Sequence, residues 1–310
     1  MSRKKHSVAA LLSATLILAT VPAASFANSD TSEREAAVSI VLHIQKADYE
    51  GDRSSLQRLH DQLLPFVASK NLGSRVLYWQ GFALWRKAMN GFNDNVDKKE
   101  LEQDLTQAAV EFEQSASLDP AFVDAKIGLG SCYGVLAYAL SEKGAAEQLA
   151  LVAKSRQALK DARAAAPDNP RLLWALGPIY WNTPAERGGG QAKAMEVAQM
   201  GLDTIRSHKY ETNDPLEPSW GEPELLMNLA WSNLNRTIPD LNAAEQYARS
   251  ALALVPYWHY VRDILMPQIR DAKAKQKSTS QLYPSHAIWL SAFSCDSAID
   301  LRRADAHREI

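Results

Sequence analysis

Side chains able to do covalent or metal chemistry are scattered in this chain. Past residue 27 the histidines are His43, His60, His208, His259, His286 and His307, and none stands in the His-Glu-x2-His spacing that aims two imidazoles at one zinc ion. No Gly-x-Ser-x-Gly turn presents a nucleophile, and the Ser-x2-Lys from Ser2 to Lys5 falls within a leader-like segment. An enzyme assembled from histidines and carboxylates of separate helices therefore stays open only as an alternative. The run Gly188-Gly189-Gly190 could turn backbone donors toward a phosphate or carboxylate, but it lacks the Lys-Ser/Thr ending of a nucleotide loop and no strand precedes it. A connector between two helices is the simpler reading, because glycine there relaxes the backbone. Asp119 and Asp240 read as helix caps. Cys132 and Cys295 could pair in an oxidising compartment, and their spacing leaves this open. Neither a metal nor a cofactor is expected.

The elements that would carry these side chains are helical. From Glu33 to about Lys275 apolar residues recur at helical spacing among Ala, Leu, Glu, Gln, Lys and Arg, with no alternating strand run, so the expected class is all-α. Breaks fall at Gly51-Asp52, Asn71 to Gly73, Asn93 to Asn95, Asp119-Pro120, Gly144, Pro167 to Pro170, Gly188 to Gly190, Asp214 to Gly221 and Pro239-Asp240. They enclose about five helix pairs and a lone helix from roughly Tyr257 to Lys275.

At the start, Arg3, Lys4 and Lys5 precede an apolar run from Val8 to Val21 and the small residues Ser25 and Ala27, as in an export signal cleaved after Ala27. Residues 1–27 are thus expected to be a signal peptide, 28–275 a helical domain and 276–310 an irregular tail, with a helix from about His286 to Arg303 as one reading of that tail. The mature chain would be periplasmic or secreted, without an integral membrane segment, since the apolar run falls short of the roughly 20 residues that span a bilayer. Removing the leader takes the formal net charge from −2 to −5, a poor balance for binding nucleic acid.

One pattern recurs: Ala108-x3-Phe112-x2-Ser115-x4-Pro120, Ser155-x3-Leu159-x2-Ala162-x4-Pro167 and Ala244-x3-Ala248-x2-Ala251-x4-Pro256. At one fixed offset beyond the first two prolines stand Leu129-Gly130-x2-Tyr133 and Leu176-Gly177-x2-Tyr180. With both halves in register, the chain resembles the tetratricopeptide repeat (TPR) family from about Ser74 to Gln268. Anchors at Ala108, Ser155, Ala194 and Ala244 lie 47, 39 and 50 residues apart, against about 34 in the family, so loops or extra turns are inserted. The turn from Asn182 to Gly190 is also similar to an insert in the helical-repeat T-component associated with tripartite ATP-independent periplasmic (TRAP) transporters. Members of that group are typically lipid-anchored, and no cysteine stands near Ala27.

The TPR resemblance implies a right-handed α-solenoid of about five pairs. The segment from Trp258 to Leu265, and the lysines beyond it, would cap the last unit. It also implies that the first helix of each pair lines a concave groove. Carried over by register, the groove positions hold Trp174 and Trp181. They also hold Tyr78, Phe82 and Trp85 if Gly81 takes the glycine place, and Met227 and Trp231 if Ala230 does. Arg75, Arg86 and Arg171 stand near enough to meet a carboxylate. The same rings could instead pack between successive pairs, as aromatic stripes commonly do. The expected function is a non-enzymatic scaffold holding a protein or peptide segment. The alternative of another class is a small-molecule-binding accessory of a periplasmic transporter, favoured if inserted loops close a deep apolar pocket.

Overall fold

A computed structural model describes residues 24–139 and 144–282. Among these residues the regular structure is helical, without strands: α1 Ala24–Glu50, α2 Arg53–Leu63, α3 Gly73–Asn93, α4 Lys98–Leu118, α5 Val123–Ala139, α6 Ala145–Ala165, α7 Pro170–Trp181, α8 Gln191–Arg206, α9 Glu222–Asn235, α10 Leu241–Leu254 and α11 Met266–Leu282. The expected breaks fall between these helices, and local chemistry explains several of them. Asp52 accepts from the Ser55 amide at 2.9 Å, and Asp240 from the Ala243 amide at 2.9 Å. Asn169 caps α7 through the Arg171 amide at 2.9 Å, with Pro170 next, where a missing donor costs nothing. Asp119 behaves differently from Asp240. It closes α4, and its carboxylate accepts from the Ala121 amide at 3.1 Å and from Arg75 Nη1 at 2.7 Å.

Each odd-numbered helix from α1 to α9 packs against the even-numbered helix that follows it, making five adjacent pairs. Small residues set the spacing. A Cβ on Gly81 would lie 3.1 Å from the Ala108 carbonyl oxygen, and one on Gly130 would lie 2.7 Å from Leu159 Cγ. The hydroxyl of Ser115 donates to the Ser74 carbonyl at 2.7 Å, and that of Ser155 to the Gly130 carbonyl at 2.7 Å. The recurring small positions thus serve one job in successive pairs: they let two helix backbones approach and tie them together. Cys132, on α5, is buried in this packing, and burial pushes its thiol well above the usual range.

Two further contacts tie the array together. After α10 a π-helical turn, Tyr260–Leu265, runs into α11, burying Val261, Leu265 and Ile269 against the last pair. This is the expected terminal element, although α11 continues past Lys275 to Leu282. The far end of α1 also reaches this region. Tyr49 packs edge-on against Trp258 at 5.1 Å between centroids, and its hydroxyl donates to Glu224 Oε1 at 2.6 Å. The first and last pairs are therefore in contact. Helix α1 runs unbroken through Ala27 and Asn28. The leader up to residue 23, Cys295 and the tail helix expected from His286 to Arg303 lie outside the described residues.

Candidate functional site

One face of α3 carries Tyr78, Trp79, Phe82 and Trp85, spaced so that successive rings stack along a single side of the helix. Phe112 of α4, Phe122 of the α4–α5 turn and Trp174 of α7 close around them. Tyr78 lies 5.1 Å from Phe122 and 5.5 Å from Phe112, and Trp85 lies 5.7 Å from Trp174, all edge-on. Edge-to-face pairs of this kind place the positive rim of one ring against the negative face of the next, worth about 0.5–1.5 kcal/mol each beyond the area they bury.

The eighth ring of this cluster, Trp220, comes from the connector between α8 and α9. Residues 207–221 contain no helix or strand, and at 15 residues this is the longest described connection in the chain. From Pro215 to Trp220 its side chains alternate: Leu216, Pro218 and Trp220 are buried, while Pro215 and Ser219 are exposed. Trp220, 6% exposed, lies 5.4 Å from Trp174, 5.9 Å from Phe82 and 6.0 Å from Trp85. The main chain is held as well. Trp79 Nε1 donates to the Leu216 carbonyl at 2.8 Å, Arg171 Nη1 to the Trp220 carbonyl at 3.3 Å, and Trp220 Nε1 to the Tyr78 hydroxyl at 2.8 Å. At its outer edge Arg34 meets Asp214 at 2.5 Å and Arg75 meets Glu217 at 2.6 Å. Gly221 ends the segment at φ +142°, backbone that an L side chain rarely adopts.

Buried charges frame this centre. Arg171 is locked to Asp124 of α5 through both a short Nε contact and Nη2 at 3.2 Å. Arg86 donates to Asp48 at 2.8 Å. Desolvation disfavours each guanidinium, but the facing carboxylate outweighs it and holds both arginines charged. Glu224 goes the other way: burial raises its carboxyl despite bonds from the Tyr49 hydroxyl and the Gly221 amide. Beside the connector lies a cleft of about 370 Å³, lined by charged and polar groups such as Asp119, Asn169 and Glu217 and by apolar ones such as Phe122, Val123 and Pro218.

The groove residues expected from the sequence divide into two sets. Tyr78, Phe82, Trp85, Arg171 and Trp174 are buried, so the expectation of an open aromatic groove does not hold at these five positions. The physical reason is the connector, which occupies the space that their rings would otherwise present to solvent. Two of these rings are imperfectly served by it, because the Nε1 donors of Trp85 and Trp174 are buried without a partner. Trp181, Met227 and Trp231 form the second set. They are half-buried, and Trp181 and Trp231 meet edge-on at 5.0 Å across α7 and α9. Among the described residues no ring covers them as Trp220 covers Trp174.

Trp79 and Trp220 were missed by register alone. Trp79 falls one place off the groove stripe, and Trp220 lies outside any helix. The available signal was the connector itself, long, polar and yet carrying Leu216, Pro218 and Trp220 at alternate positions.

The remaining chemical candidates are engaged elsewhere. In the glycine run the amides of Gly188, Gly189 and Gly190 donate to the carbonyls of Ala185, Pro184 and Tyr180, at 2.9, 3.2 and 2.8 Å, leaving none for an anion. This is the connector reading. His60 is buried between Asp61 and Glu111, at 2.8 Å from each. His43, His208 and His259 stand at or near the surface, and none of these four lines the cleft. Among the described residues no group of His, Cys, Asp and Glu could hold a metal ion, and no helix is long and apolar enough to cross a membrane. No protein-family model matches the chain, and no curated protein matches it.

Proposed function

We propose that this chain is an exported, periplasmic or secreted, non-enzymatic scaffold built as a right-handed TPR-like α-solenoid, whose first-of-pair helices hold a protein or peptide segment. The observation that carries this reading is residues 212–220. An irregular stretch of polypeptide lies on α1, α3 and α7, held by side-chain donors to its carbonyls and by burial of alternate side chains. Proteins hold an extended peptide guest in this way. The half-buried pair Trp181 and Trp231, with Met227, extends the same side of α7 and α9 and gives a guest an apolar anchor that is already accessible.

The transporter-accessory alternative would be favoured by a deep apolar pocket. Here the apolar interior is filled by the connector, and the open cleft beside it is lined by charged and apolar residues together rather than being a deep apolar pocket. An enzyme would be favoured by histidines and carboxylates meeting in a cleft, and the described histidines do not line this one. A photo-crosslinking residue at Trp231 tests the reading in intact cells, with exposed Leu149 on α6 as the control. A discrete protein adduct at position 231 and none at 149 is expected. Equal labelling from both positions would reject the scaffold reading.

A further inference from the structure

We infer that the 212–220 segment is a built-in, displaceable occupant of the aromatic site, and that the guest which replaces it is a peptide of the same chemistry. That chemistry is an acidic residue, then a leucine-type residue, a second acid, a proline and a tryptophan, as in Asp214-Pro215-Leu216-Glu217-Pro218-Ser219-Trp220. The inference rests on the scaffold reading and names its partner class.

Five observations combine. The connector far exceeds the few residues that usually join two helices, and irregular loops of this length are usually functional. Its acids are matched to arginines at the edge of the site, Arg34 to Asp214 and Arg75 to Glu217, so the surface selects negative charge flanking an apolar ribbon. Those pairs sit at partly exposed positions, where ion pairs hold weakly and exchange with solvent. The floor is also not fully satisfied: Trp85 and Trp174 each keep a buried indole donor unpaired while the connector is in place. A guest that brings an acceptor to either indole makes a bond the connector does not, and gains over it for that reason. Gly221, at positive φ on the threshold of α9, is the pivot on which the segment would swing.

A tethered segment that keeps its seat against an effective concentration on the order of 1 mM implies that the free peptide binds the vacated site more tightly than about 1 mM. The test uses the synthetic peptide Thr-Asn-Asp-Pro-Leu-Glu-Pro-Ser-Trp-Gly, copied from residues 212–221, and the same peptide with its tryptophan changed to alanine. Titrated into the Trp220→Ala protein, the first peptide should bind at least tenfold more tightly than to the unaltered protein, and the second should not bind. Hydrogen exchange on the unaltered protein keeps the test open should that variant fail to fold. Excess peptide should speed exchange of the 212–220 amides and leave α3 and α7 protected. Failure of the peptide to bind a folded Trp220→Ala protein, or unchanged exchange at 212–220 under saturating peptide, overturns the proposal. A peptide or partner that binds at Trp181 and Trp231 with the connector unmoved would also overturn it, while leaving the scaffold reading intact.

Discussion

Helix α7 carries two tryptophans seven residues apart on one side, Trp174 and Trp181, and their fates differ. Trp174 lies under Trp220 and is buried, while Trp181 meets Trp231 edge-on and stays half-exposed. Spacing alone does not distinguish them, since two turns of helix return a side chain to nearly the same face, although Trp181 is the last residue of α7 and follows Pro178. The difference is made by a segment about forty residues further along the chain. Whether a ring on such a helix is core or contact surface is decided by what lies over it, and that cover is non-local.

Substitutions at the two ends of this comparison should separate sharply. Trp85→Ala, in the covered cluster, removes a fully buried ring and should cost about 3–5 kcal/mol in a denaturant titration. A loss below about 1 kcal/mol would mean that the covered site is far looser than its packing suggests. Breaking the charge that frames it should cost nearly as much. Asp124→Asn leaves the Arg171 guanidinium buried without its counter-ion, worth about 3 kcal/mol, and the joint replacement of Asp124 and Arg171 by Leu and Met should recover most of the loss.

His60 offers a smaller and pH-dependent effect away from both clusters. Burial lowers its pKa, but Glu111 and Asp61 together outweigh this and raise it above the ordinary 6.5. A raised folded-state value means that the bond stabilises fully below about pH 6.5 and is lost as pH climbs through the folded value. The melting temperature should fall across that window, and His60→Gln should flatten the decline. The smallest effect belongs to the uncovered pair. Trp181→Ala should cost about 1 kcal/mol or less, the worth of one edge-on contact, yet reduce crosslinking from position 231. A loss comparable to that of Trp85→Ala would erase the distinction between the two tryptophans of α7.

The helix boundaries were legible in the sequence because their causes are local. Asp52, Asn169 and Asp240 cap through amides two or three residues away, and the fixed offset from proline to glycine put Gly130 opposite Ser155 and Leu159. The register also brought together Trp181 and Trp231, which share an edge contact, and placed Tyr78, Phe82, Trp85 and Trp174 on one continuous surface. What it could not reveal was exposure. Leu216 and Trp220 belong to no helical period, and their partners Trp79, Tyr78 and Trp174 are between 46 and 142 residues away, too far for any spacing rule to connect. The buried pairing of Asp124 with Arg171 was hidden for the same reason, since each residue alone reads as an ordinary charge near a helix start.

The contact of Tyr49 with Glu224 and Trp258 bears on how the chain reaches its native state. Linear repeat proteins gain stability unit by unit and can fray from either terminus. Here a hydroxyl in the first helix waits for a carboxylate 175 residues downstream, so early-made helices stay unlatched until the last pair has emerged. Such long-range latching raises contact order and slows the final step of folding. In exchange, neither the first nor the last described pair can peel away alone, and the described pairs should melt as one cooperative body.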